Sequence, residues 1–528
     1  MTRHIHRFFN TTGPCNPDDH YMLPPADRLR GAQLHRYVRD KLYWLLHAPR
    51  QTGKTTFLQS WMRELNATDE VSACYVTVER AQGSAEIAGG MTAICSAIRQ
   101  WSERVRLPVP EVGTSDPKSM LSSIMGDWAA KIAPRPLVVL FDEVDCLEGE
   151  TMTGFLRQLR DGFASRGVGT FPVSVALVGM RDLKDYLLWA RDGSPVNPGS
   201  PFNIKEDSAT LWNFSRANIA VLFAQRTAET GQQIEPAALD YVRERTRGQP
   251  WLVNSLFKRA TMRILDEEDF SDVTLAHIQA AEKQMILARE THLDALAARM
   301  EDPRVRRIME TMLTGEVDMQ MSGSDAFLLC LDLGLVRHDF GYPPEIANPI
   351  YKEILARQMA QGIESSVPAR ENLRFRWERP GGALDMDNLL REFQKFWRRH
   401  SEIWESKSNY TEAFPHLLLM AFLQRIVNGG GRIEREYAAG NGRLDLAVEY
   451  KNAWHIIEIK ILHDYETPGL VREEGIEQTA AYRDKFSPPP PAWLVIFDRR
   501  SGEKKRPWEQ RLTWDANLQN TGITVVGC

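Results

Sequence analysis

Apolar residues fall in two textures along this chain. Unbroken runs at residues 43–46 and 137–141 have the pattern of strands covered on both faces of a parallel sheet, and 173–182 (VSVALVGMRD) repeats it. The stretch 71–79 (VSACYVTVE) alternates with the period of a strand. Helical spacing takes over at 56–65, 89–104 and 155–167. From about 201 to 285 it predicts helices throughout, interrupted at Gly248-Gln249-Pro250, where a glycine can end one helix and a proline open the next. Residues 286 to about 360 carry three short helical patterns and a hairpin around 338–343, the order of a winged helix. A mixture of Pro, Gly and charge at 368–386 has no period and reads as a linker, followed by a helix at 388–400 with Phe393, Phe396 and Trp397 to bury. Near the end, two alternating runs, 442–450 (GRLDLAVEY) and 453–462 (AWHIIEIKIL), flank Lys451-Asn452 and predict a hairpin.

These patterns imply an α/β multidomain chain, and 528 residues are too many for one core. The divisions fall at 1–200 for a first α/β core, 201–285 for a helical lid, 286–365 for the winged helix, 366–400 for a linker helix and 401–528 for a second α/β domain. A hydrophobic share of 43% and a charged share of 26% are those of ordinary globular protein. The formal charge of −5 gives no overall bias toward nucleic acid, so any DNA contact must come from local basic patches. Six scattered cysteines with no CxxC pair suggest reduced thiols in a cytoplasmic protein. The N-terminus has no apolar core for export, and the longest apolar run, 417–426, is short and carries Gln424 and Arg425, so it reads as a buried helix and no membrane partner is expected.

The chemistry is organised around residues 45–56, LLHAPRQTGKTT. A turn containing Pro49 and Gly53 sits between a strand and a helix, so backbone N–H groups and a helix N-terminus converge on one point, a phosphate cradle. Lys54 would reach the outer phosphates and Thr55 would ligate Mg²⁺, as in GxxxxGK[ST], with Gly53 and Thr56 beside them in the loop. Ala48 stands where the first glycine is usual, and makes most of the same turn while its φ stays negative. At the end of the 137–141 run, Asp142 can reach the metal and Glu143 can polarise a water for attack on the γ-phosphate. Upstream, 20–29 (HYMLPPADRL) either sandwiches adenine with Tyr21 or Met22, anchored by Arg28, or is an arm laid on the core. On the 155–167 helix, Arg157, Arg160 and Arg166 offer an arginine finger across a subunit boundary or simply a solvated face. The only dense basic run of the winged-helix region is 304–307, which favours a packing or regulatory role there.

APRQTGKT, VVLFDE, the GMRD strand end and the GQP helix break, in that order and followed by a winged helix, resemble the signal-transduction and archaeal-type branch of the AAA+ superfamily over about two thirds of the chain. The resemblance implies that Arg181 senses the γ-phosphate, that Pro250 touches adenine, and that the domain can form a homo-oligomer.

The late hairpin carries a second constellation. With Lys451-Asn452 as its turn, Asp445 falls opposite Glu458 and Arg443 opposite Lys460 on one face, while Leu444 and Leu446 meet Ile459 and Ile457 on the other. Two facing carboxylates repel unless a cation joins them, and with Lys460 they make a hard-oxygen site for Mg²⁺ or Mn²⁺. A salt-bridged surface hairpin is the plainer alternative. The last 120 or so residues resemble the PD-(D/E)XK nuclease superfamily: Asp445 matches its second-motif acid, Glu458-Ile459-Lys460 its ExK, Glu412 its first-motif acid, and Gln478 with Tyr482 its QxxxY helix. Leu444 replaces the proline of the motif, and Arg499, Arg500 and 504–506 offer cations to DNA phosphates. The expected fold is therefore a parallel-sheet P-loop ATPase core with helical lid and winged helix, followed by a restriction-endonuclease-like α/β domain. The expected activity is an ATP-hydrolysing switch that controls a metal-dependent DNA endonuclease in prokaryotic defence or a mobile element. The alternative is a nucleotide-switched sensor or scaffold whose C-terminal domain binds nucleic acid or protein without cutting.

Overall fold

The computed structural model describes residues 7–29, 34–166, 171–180, 188–189, 195–196, 205–266, 268–287, 296, 298–314, 323–338, 342–355, 358, 378–407, 418–420, 422–423, 431–439, 442–498, 500 and 522–528. The chain forms two compact units, Met1–Glu290 with Leu328–Arg337 and Ala347–Pro349, and Thr291–Phe327 with His338–Ile346 and Ile350–Cys528.

The first unit is built on a five-stranded sheet in the order β2-β3-β4-β1-β5, parallel throughout, from β1 (Tyr43–His47), β2 (Ser72–Thr77), β3 (Leu137–Asp142), β4 (Ser174–Gly179) and β5 (Lys205–Thr210). The unbroken apolar runs follow from this layering, because both faces of the central strands are covered. Tyr43, Leu45, Val139 and Phe141 pack with Met91, Ile94, Trp128 and Phe155 from α2 (Ile87–Arg104), α3 (Met120–Ile132) and α4 (Gly149–Ser165). Trp44, Leu46, Val138 and Leu140 go the other way, to Phe57, Leu58 and Trp61 of α1 (Lys54–Ala67). Each fully buried side chain of this size contributes about 1.5–3 kcal/mol.

A strand and a helix of this unit show how structure departs from the sequence expectation. Lys205–Thr210 lies where helix is expected, yet it is β5, paired with β1 at the edge of the sheet. An edge strand needs only one backbone neighbour, so KEDSAT joins the ladder without an apolar pattern to announce it. The helix α3 has no counterpart among the expected elements, although Leu121, Ile124, Met125, Trp128, Ala129 and Ile132 are buried at helical spacing.

The segment expected to form a helical lid holds four helices, α5 (Arg216–Thr230), α6 (Pro236–Thr246), α7 (Pro250–Arg259) and α8 (Leu275–Leu287). Ser215 and Asn218 form a capping box at the start of α5, Gly231 closes it, and α7 opens on Pro250 with the Gln249 side chain capping Leu252 N–H. Within the segment that predicts a winged helix lie α9 (Pro303–Thr314), α10 (Asp325–Asp332) and two-residue strands at Val336–Arg337 and Glu345–Ile346.

In the second unit the linker helix is α11 (Met386–Lys407), with Phe393, Phe396 and Trp397 buried. A mixed five-stranded sheet follows in the order β6-β7-β8-β9-β10, from β6 (Gly431–Ala439), β7 (Gly442–Tyr450), β8 (Ala453–Leu462), β9 (Ala492–Asp498) and β10 (Ile523–Gly527). The first three strands pair antiparallel and the last three parallel. Helix α12 (Pro468–Arg483) covers one face, over Ile456, Leu462, Leu494 and Ile496, and Gly475 lets it approach so closely that a Cβ there would meet Leu494 at 2.7 Å. On the other face Phe393 and Trp397 of α11 meet Phe497, at ring separations of 6.0 and 4.8 Å. Among the described residues no helix is long and apolar enough to cross a membrane.

Candidate functional site

The C-terminal ends of β1 and β3 bring the first set of chemical groups together. Gly53 takes a left-handed conformation, φ 91°, immediately before α1, and Gln51 has φ 57°, so the loop curls back over the helix N-terminus. Thr52 Oγ1 donates to Pro49 O at 2.8 Å and tightens the same turn. Inside it the Lys54 ammonium donates to Ala48 O at 2.7 Å and Pro49 O at 2.9 Å. Burial lowers its pKa, against the opposing pull of Asp142, Asp145 and Glu143, so the charge is held in place by this acidic rim.

Thr55 Oγ1 donates to Asp142 Oδ2 at 2.6 Å. The Tyr75 hydroxyl donates to the same oxygen at 3.1 Å and Glu143 N–H to Oδ1 at 3.0 Å. Both oxygens of this buried carboxylate are thus oriented, although burial itself raises its pKa. Glu143 lies at φ 60°, where a non-glycine residue is strained. Its pKa is pushed up to about 7 by burial first, then by Asp142, Glu79 and Asp145. Glu79, just beyond β2, is one of the acidic neighbours that raise it. Neither Glu79 nor Tyr75 was legible in sequence, since parallel pairing of β2 with β3 alone makes them neighbours of the acids.

The lid and the N-terminal arm enclose the loop. Gln249 Nε2 donates to Gln51 O at 3.4 Å, while Pro250 is buried at the start of α7. Gly334, at φ 72°, packs on the loop so tightly that a Cβ there would lie 2.5 Å from Pro49 Cβ. Tyr21 is an anchor rather than an open stacking face: its ring is buried against Phe9 and its hydroxyl donates to Glu229 at 2.8 Å. Met22 is tied by its backbone to Gln225. Arg28 does anchor the segment, donating from Nε to Trp212 O at 2.8 Å, and its Nη1 would be 3.3 Å from a Cβ on Gly53. The Thr56 hydroxyl accepts Cys15 N–H at 2.9 Å, so its side chain serves the arm. On α4, Arg157 and Arg160 are exposed, whereas Arg166 folds back to donate to Phe163 O at 2.7 Å. Arg181 lies outside the described residues.

Residues 38–187 match the model of the AAA domain. This segment is an AAA-type ATPase domain. It contains β1 to β4, the loop and both acids. Among solved structures the chain is similar to a Walker-type ATPase of Pyrococcus abyssi, at 14% identity over 66% of this chain and 99% of that one, with a TM-score of 0.46. It is also similar to the RuvB Holliday junction branch migration motor of Thermotoga maritima (14% identity, 61% and 90% covered, TM-score 0.34). A third is Cdc6p from Pyrobaculum aerophilum (12% identity, 63% and 91% covered, TM-score 0.35). No curated protein sequence matches the chain. In the AAA domain, Thr55 and Asp142 are oxygen donors already facing each other, which fits a divalent ion, and the turn around Lys54 fits a phosphate chain.

The second set of groups lies on the C-terminal sheet. Lys451 and Asn452 have φ 48° and 66°, the left-handed pair of a two-residue hairpin turn, and β7 pairs β8 from Tyr450–Ala453 to Leu446–Ile457 in the expected register. Asp445 is the next residue of β7 beyond that last pair, and its side chain lies outside the described residues, as does Glu412. Glu458 is buried, only 5% exposed, and Lys460 Nζ approaches its Oε1 at 3.9 Å. Alternation along β8 puts both on the face covered by α12, with Ile456 and Leu462. On that helix Tyr482 packs against the same core, with Lys485 Nζ 5.1 Å from its ring centre, while Gln478 is exposed. Arg500 is held by Asp498 through two bonds of 2.9 and 2.8 Å, so its guanidinium is already committed to a carboxylate. Arg499 and residues 504–506 lie outside the described residues. Among the described residues no group of three or more His, Cys, Asp or Glu could hold a metal ion.

Proposed function

We propose that the chain is an ATP-hydrolysing switch that controls a metal-dependent DNA endonuclease. The observation that carries the first half is the contact of Thr55 with Asp142 at 2.6 Å beneath the Lys54 turn. Lys54 would bind the outer phosphates, Thr55 and Asp142 would hold Mg²⁺, and Glu143 would orient and deprotonate the attacking water. Bound Mg²⁺ supplies charge neutralisation on the phosphates. Pro250 and Arg181 would report the nucleotide to the lid.

What supports the second half is the burial of Glu458 beside Lys460 under α12, since burying an acid is costly and a plain surface hairpin has no need of it. Asp445, Glu458 and Glu412 would hold Mg²⁺ or Mn²⁺ there. Lys460 would steady a water, with Gln478 and Tyr482 lining the strand. An ATPase and a nuclease in one chain suit prokaryotic defence or a mobile element, and a homo-oligomer through the AAA domain would bring nuclease sites together. Supercoiled plasmid, ATP and Mg²⁺ or Mn²⁺ with wild type, Lys54→Ala and Asp445→Ala test both halves. Wild type should cut, Asp445→Ala should not, and Lys54→Ala should cut poorly. Equal cutting by all three removes the nuclease, and full cutting by Lys54→Ala removes the ATP control.

A further inference from the structure

The loop that leaves β8 carries two rings in an arrangement that the fold itself does not use. His463 and Tyr465 are stacked, with centroids 5.3 Å apart and an interplanar angle of 3°. The turn that presents them is closed twice, by Glu466 N–H on His463 O at 3.1 Å and by His463 N–H on Glu466 Oε2 at 2.8 Å. Despite this order Tyr465 is 83% exposed, more than any other large apolar or aromatic side chain among those that stand out from the described surface. Leu470, in the first turn of α12, is 58% exposed. A rigid aromatic held in water by a hydrogen-bonded turn lowers the entropy cost of stacking something onto it.

The position of the turn indicates what would stack. Tyr465 follows Lys460 by five residues, which places its Cα within about 18 Å of that residue however the chain runs. The turn carries Asp464 and Glu466, so it repels a phosphate. A base is neutral and has a π-face, so it can lie on the pair where a phosphate would be repelled. We infer that the His463–Tyr465 pair is a stacking platform for one nucleobase of a single-stranded or locally unpaired strand entering the Glu458–Lys460 site. This rests on the nuclease reading for the identity of the strand, and it narrows the substrate class from duplex DNA to nucleic acid with an accessible base.

The test uses the full chain with EDTA, so that nothing is cut, and a single-stranded oligonucleotide containing one 2-aminopurine. Wild type should bind and quench the fluorescence. Tyr465→Ala should bind roughly tenfold more weakly and lose the quench, and Tyr465→Trp should retain both. The side chain is exposed, so both substitutions leave the fold intact, which unchanged thermal melts of both variants check. Binding and quenching by Tyr465→Ala equal to wild type overturn the platform, as does a wild type that binds no oligonucleotide; the latter outcome leaves the exposed pair to a protein partner. Parallel digestion with Mg²⁺ or Mn²⁺ separates the two readings. A quench without any cutting sinks the nuclease and keeps the platform, whereas cutting with unchanged efficiency by Tyr465→Ala does the reverse.

Discussion

Glu143 combines a strained backbone with a crowded carboxyl, and both bear on its titration. The left-handed φ of 60° costs on the order of 1 kcal/mol, and it allows the Glu143 N–H to reach the Asp142 carboxylate. Burial, with Asp142, Glu79 and Asp145 close by, raises the pKa from 4.5 to about 7. A carboxyl raised on folding favours the folded state below its unfolded value, and that share is lost as pH climbs through the folded value. Protein free of nucleotide and metal should therefore lose thermal stability relative to Glu143→Gln as pH rises from about 6 to about 8. A constant difference in melting temperature across that range would contradict the crowding. Lys54 makes a separate prediction. Its ammonium is held by two carbonyls and an acidic rim, so Lys54→Ala should keep the fold while losing the charge-assisted phosphate contacts. Those are worth about 1.5–3 kcal/mol, at least roughly tenfold in ATP affinity by calorimetry.

At the scale of elements, the lid depends on a backbone elbow more than on side chains. Gly248 has φ 76°, and a Cβ there would lie 1.9 Å from Phe214 O, while Phe214 N–H donates to Gly248 O at 2.8 Å. Gly231 has a similar φ of 82° at the end of α5, yet a Cβ there meets nothing within 4 Å. Gly231→Ala should cost only about 1 kcal/mol of left-handed strain, and Gly248→Ala should cost far more and lower the melting temperature of the lid accordingly. The sequence marks the Gly248 elbow because Pro250 follows it, and it marks the β7–β8 register because Lys451-Asn452 supplies a two-residue turn. The strands Tyr43–His47 and Leu137–Asp142 are equally legible, as apolar residues facing two cores. Legibility ends where structure is borrowed from a neighbour: Lys205–Thr210 is a strand because β1 pairs with it, and Glu79 meets Glu143 because β2 lies beside β3. No periodicity in either segment records those partners.

At the scale of the whole molecule, the least local contact that the described residues make with the candidate nucleotide loop is that of Gly334. The turn that follows α10 closes with Gly334 N–H on Leu331 O at 2.9 Å, and its left-handed backbone lies against Pro49, whose carbonyl receives Lys54. This turn supplies none of the residues assigned to nucleotide, yet it packs on the wall of their loop. Lengthening the side chain by even a methyl forces one of two backbones to move, because the Pro49 Cβ would be only 2.5 Å away and the ring cannot swing aside. Gly334→Val should therefore weaken ATP binding and slow hydrolysis without altering any predicted ligand of the phosphates or metal. Gly323→Ala is the matched control, since a Cβ there meets nothing within 4 Å and its φ is not left-handed, and it should leave both parameters unchanged. If Gly334→Val binds ATP as wild type does, the loop is set by its own hydrogen bonds alone. If binding falls, then occupancy of the loop and the position of this turn are linked in both directions, and filling the site with nucleotide should in turn protect the turn from proteolysis.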